Sequence, residues 1–72
     1  MREREQMINK PKVIRFDSQA GAWTDGTNYV KGSIIRRFAK EKMGRTQGRG
    51  RLARAEISAY FLDVYGVSAD VE

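Results

Sequence analysis

The chain has no cysteine, no histidine, a single proline and no apolar run approaching the roughly 18–20 residues that cross a bilayer. Each absence excludes something. Without cysteine there are no disulfides and no thiolate nucleophile, and without cysteine and histidine together nearly all zinc sites go as well. The commonest general acid/base side chain is missing too, so most enzyme classes are disfavoured and no cofactor is implied. The acidic residues are scattered without metal-ligand spacing, and no GxxxxGK[ST] phosphate loop occurs. The N-terminus, Met1-Arg2-Glu3-Arg4-Glu5-Gln6, lacks the apolar centre of a signal peptide, so the expected location is the cytoplasm, with no membrane partner.

What is present fits one small domain. Seventy-two residues, 40% hydrophobic and 32% charged with mean hydropathy −0.63, describe a globule with a thin core. Residues 1–11 alternate in charge sign and end at Pro11, which reads as a flexible charged arm ahead of a single α+β domain over 12–72.

Charge is distributed unevenly. Residues 1–30 are nearly neutral, at +1, and residues 55–72 carry Glu56, Asp63, Asp70 and Glu72 with no base. Between them, residues 31–54 hold nine basic side chains against Glu41 alone, a net of +8 in a chain of net +5. Such a concentration points to a polyanion or an acidic surface as partner.

The expected fold is a small three-stranded antiparallel meander followed by two amphipathic helices. Lys12-Val13-Ile14-Arg15-Phe16 is β-branched and aromatic and precedes a turn-rich stretch, which favours a first strand. Asp25-Gly26 then suits a two-residue type I′ turn, placing Trp23 opposite Asn28 and Ala22 opposite Tyr29. The first helix is expected from Ser33, as N-cap, to Met43, with Gly44 as its stop and Ile34, Ile35, Phe38 and Ala39 on its apolar side. The second runs from Leu52 to Tyr65, with Ala53, Ile57, Tyr60, Phe61 and Val64 as its stripe and Gly66 as its stop.

Several readings of function follow. The loop Gly44-Arg45-Thr46-Gln47-Gly48-Arg49-Gly50-Arg51 combines backbone freedom with guanidinium groups that match phosphate oxygens. Arg36, Arg37, Lys40, Arg45, Arg49, Arg51 and Arg54 are therefore the candidate nucleic-acid contacts, DNA or RNA, supplying affinity more than base discrimination. Phe16, Trp23 and Tyr29 fall together in the expected sheet and could stack bases, although packing competes for them. Trp23, Tyr29, Val13 and Arg15 are the candidate protein contacts, the last two on a strand edge at 12–16 that a partner could extend.

The reading favoured is a basic, non-enzymatic regulatory protein acting on nucleic acid, in transcription or a similar process. The alternative is a protein-binding modulator, of the kind phages or mobile elements direct at a host machine such as RNA polymerase; a structural protein of a ribonucleoprotein particle is a third. Arg54-Ala55-Glu56-Ile57 through Gly66-Val67-Ser68-Ala69-Asp70 resembles the first helix and turn of a helix-turn-helix protein, but too few residues follow for a recognition helix. A catalytic use of Arg45, Arg49, Arg51 and Tyr60 or Tyr65 would ask a loop to hold geometry that loops do not hold. The acidic end reads as a solvated helix face and tail.

Overall fold

The computed structural model describes residues 12–44 and 51–72. The N-terminal arm expected over 1–11, and Arg45 and Arg49 of the Gly-Arg loop, lie outside the described residues. The fold is α+β, with strands β1 (Val13–Asp17), β2 (Ala22–Thr24) and β3 (Tyr29–Val30), helices α1 (Gly32–Lys42) and α2 (Arg54–Tyr65), and a last strand β4 (Asp70–Val71). The expected three-stranded antiparallel meander is matched in part: β1 pairs with β2 and β2 with β3, both antiparallel, but they do not make up the whole sheet. It is extended by a strand the sequence did not announce: β4 pairs parallel to β1, giving a mixed sheet of order β3-β2-β1-β4.

That fourth strand changes two expectations. β1 lies between β4 and β2 in the strand order, Val13 and Ile14 pairing with β4 and Arg15 to Asp17 with β2, so residues 13–16 are not a wholly unpaired edge. The acidic tail is partly structural: Asp70 and Val71 register with Val13 and Ile14, and Glu72 N–H donates to the Ile14 carbonyl at 2.8 Å. After Ser68 the chain enters this strand rather than a second helix, which removes the helix-turn-helix likeness.

The hairpin forms with a different register. Trp23 pairs with Val30 and Thr24 with Tyr29, a two-residue displacement from the Asp-Gly expectation. No non-glycine residue among those described has positive φ, so Asp25 cannot occupy a type I′ position. Its carboxylate instead accepts the backbone N–H groups of Thr27 and Asn28 at 2.9 and 2.7 Å, closing a longer turn. Burial acts to raise the Asp25 pKa, but these bonds together outweigh it and hold the carboxyl below its usual 3.8. The turn is therefore fully charged and intact at neutral pH.

Strand alternation places Ile14, Trp23, Val30 and Val71 against the helices. The core is Ile14, Val30, Ile35, Ile57 and Phe61, with Trp23, Leu52, Tyr60, Val67, Ala69 and Val71 packed on it. Ile35 and Ala39 are the buried residues of α1, Phe38 is half-buried, and Ile34 is exposed. Phe38 crosses to α2 edge-to-face on Tyr60, centroids 5.2 Å apart. On α2 the stripe holds for Ile57, Tyr60 and Phe61 but not for Ala53, which precedes the helix, or Val64, which is exposed. The first helix begins without a side-chain cap: Lys31 occupies the N-cap, so Ser33 lies inside the first turn rather than before it. At α2 the Glu56 carboxylate reaches back to accept the Ala53 N–H at 2.9 Å, so this member of the acidic end caps a helix.

Gly66 ends α2 in the left-handed region, φ +69°, with its N–H donating to the Leu62 carbonyl at 3.0 Å. A Cβ there would touch nothing, so Gly66→Ala tests the backbone alone. The substitution is expected to cost about 1–2 kcal/mol. Tm should fall by about 4–8 °C per kcal/mol, read by circular dichroism on heating.

Candidate nucleic-acid interface

The helix-facing side of the sheet ends in two aromatic side chains. Phe16 on β1 registers with Trp23 on β2, and their rings meet edge-to-face at 5.4 Å and 66°. Trp23 is half-buried, while Phe16 keeps 50% of its surface exposed although it follows the fully buried Ile14 on the same face. The helices stop short of covering it, and a cleft of about 960 Å³ opens there.

Three guanidinium-bearing residues line that cleft. Arg36 lies one turn along α1 from Gly32, and its Nη1 would be 3.5 Å from a Cβ at that glycine. Leu52 Cδ1 would be 3.6 Å from the same point, so Arg36 and Leu52 both approach the start of α1, at distances that a methyl group there would also accept. Arg51 arrives from the segment before α2, and Arg54 from that helix's first turn. A cation at the positive end of a helix gains nothing from the helix dipole, so Arg54 is not placed there for helix stability. Ile57 and Val71 form apolar lining, and Glu72 brings one carboxylate, which also meets Arg15 Nε at 3.6 Å. Both partners of that ion pair are well exposed, so it adds little to stability.

Of the seven candidate phosphate contacts, the fold thus brings Arg36, Arg51 and Arg54 to one cleft. Arg37 and Lys40 are exposed on α1 and do not line it; Arg45 and Arg49 fall outside the described residues. The expected protein-contact group is split. Trp23 faces the helices and the cleft, whereas Val13, Arg15 and Tyr29 line a separate depression of about 810 Å³ on the other face of the sheet. Phe16 borders both openings, but Tyr29 shares neither cleft nor sheet face with Trp23, so the three do not form one aromatic platform. Its strand neighbour Val30 takes the helix-facing side, because adjacent residues of a strand point to opposite faces.

Gly32 and Leu52 were not read as site residues from sequence. The available signal was a glycine immediately before an amphipathic helix, which ordinarily means no more than a turn. Tyr60, by contrast, is engaged in packing: its ring lies against Phe38, Phe61 and Tyr65, and burial, with Tyr65 adding to it, raises its pKa above 10.0. It is protonated at neutral pH. Among the described residues there is no cluster of three or more potential metal ligands, and no helix long and apolar enough to cross a membrane.

Comparison with protein-family models, with curated proteins and with solved structures yields no match, so the functional reading rests on the geometry of this cleft and on charge.

Proposed function

We propose that the protein is a small, non-enzymatic regulatory protein that associates with nucleic acid, in transcription or a related process, by gripping the phosphate backbone. The observation that carries this reading is the convergence of Arg36, Arg51 and Arg54, from separate elements, on one cleft whose wall is aromatic. Guanidinium groups offer planar, paired donors to phosphate oxygens, and they belong to a segment of net +8 that supplies long-range attraction. Arg37 and Lys40 add exposed charge on α1, and Arg45 and Arg49 belong to the same basic segment.

The test is titration of labelled single- and double-stranded DNA and RNA with the purified chain across about 50–200 mM salt. Three phosphate contacts predict a log-log slope of at least roughly −2 on single strands and −3 on duplex. Absence of binding at the lowest salt would end the reading.

A second reading has an observation of its own. Helix α2 is apolar on most of its circumference, and Leu62 and Val64 remain 55% and 47% exposed. A protein that docks on a large complex such as RNA polymerase would use such a face. One dominant protein partner in a nuclease-treated pull-down, with no direct nucleic-acid binding, would favour it.

A further inference from the structure

Resting on the nucleic-acid reading, we infer that the Phe16–Trp23 cleft captures one unpaired nucleobase, so that the nucleic acid engaged is single-stranded. Phosphate gripping alone needs no aromatic wall, and packing alone does not leave Phe16 half exposed beside three arginines. The cleft unites what an unpaired nucleotide offers: a π-face, and a charged phosphate within one nucleotide of it. The half-exposed ring of Phe16 and the Trp23 ring packed against it line one wall of the cleft, an apolar surface for the base. Arg36, Arg51 and Arg54 lie around the same opening for the phosphates on either side. The volume, about 960 Å³, accommodates a nucleotide. A base paired within a duplex has both faces covered by its neighbours and cannot enter; one splayed from a single strand can. Stacking tolerates any base, so the cleft should select strandedness more than sequence.

Trp23 is the only tryptophan, which makes its emission a direct report on the cleft. The experiment pairs two readouts on the full chain: anisotropy of labelled oligo-dT, oligo-rU and a mixed-sequence duplex, and Trp23 emission during the same titrations. We expect single strands to bind and to change Trp23 emission, and the duplex to leave emission unchanged. Phe16→Leu keeps apolar bulk but removes the ring; it should weaken single-strand binding roughly 10-fold while leaving duplex binding and the circular dichroism spectrum as they were. Equal affinity for single and double strands with unmoved emission would overturn base capture while leaving phosphate gripping standing. Full single-strand affinity in Phe16→Leu would overturn it too. No binding by either form would remove both readings. Comparison of oligo-dT with oligo-rU identifies which single strand the cleft prefers.

Discussion

Phe61→Ala is expected to cost the chain about 3–5 kcal/mol, between roughly a third and all of its stability at 25 °C. Phe61 is fully buried and is the largest of the fully buried side chains among the described residues, against the rings of Tyr60 and Tyr65 and part of the cluster that joins both helices to the sheet. Truncating a buried phenylalanine costs about 3–5 kcal/mol, the lost transfer energy plus the cavity left behind. Stability of roughly 0.05–0.15 kcal/mol per residue gives a 72-residue domain only about 4–11 kcal/mol in all. The neighbouring substitution Leu62→Ala provides the contrast. Leu62 is 55% exposed, and its loss should stay near 0.5 kcal/mol. Urea unfolding followed by Trp23 emission measures both. Equal costs for the two would mean that α2 presents a different face to the sheet.

That pair also shows what the sequence could and could not reveal. Ile57, Tyr60 and Phe61 were legible as an inward stripe because they recur at three- and four-residue spacing. Val64 continues that spacing and yet is exposed, because α2 has apolar residues on nearly every side and periodicity cannot choose among them. The hairpin was legible in existence but not in register. Its displacement is by two residues, an even number, so Trp23 and Val30 share a face in either register. What was missed there is the Asp25 carboxylate, which satisfies two backbone donors and so stabilises a longer turn than Asp-Gly favours by backbone preference alone.

β4 was not legible at all, for a physical reason. Asp70–Val71 is two residues long and has no strand pattern of its own; it is a strand because β1 supplies a parallel partner far away in sequence. Local propensity carries no information about such pairings. The candidate site was half legible for the same cause. The basic segment is plain in composition, and Arg36, Arg51 and Arg54 were among the residues it indicated. Their meeting depends on how α1 and α2 pack over the sheet, which composition does not carry. The separation of Trp23 from Tyr29 onto opposite faces, by contrast, is a consequence of strand alternation alone.

The joint substitution of Arg36, Arg51 and Arg54 by glutamine is expected to reduce single-strand affinity about 100-fold at 0.1 M salt. Each phosphate contact on a single strand contributes roughly 0.7 to the log-log salt slope, so three contacts account for about 2 units of slope and, at that salt, about two decades of affinity. Glutamine retains hydrogen-bonding ability and much of each stem, Arg51 and Arg54 are exposed and Arg36 is half-buried, so the fold should persist, and circular dichroism of the triple variant and of Arg36→Gln alone checks it. The decisive comparison is with Arg37→Gln combined with Lys40→Gln, two charges of the same basic segment that stay outside the cleft. If the cleft organises binding, this pair should reduce the slope by less per charge than the triple does and leave the Trp23 response intact. If affinity instead falls by the same factor for every cation removed, wherever it lies, attraction is a property of net charge and the convergence of the three arginines has no part in it. Salt titration of the three proteins under identical conditions separates the two, because net charge acts through a smooth potential whereas a built site loses slope in steps.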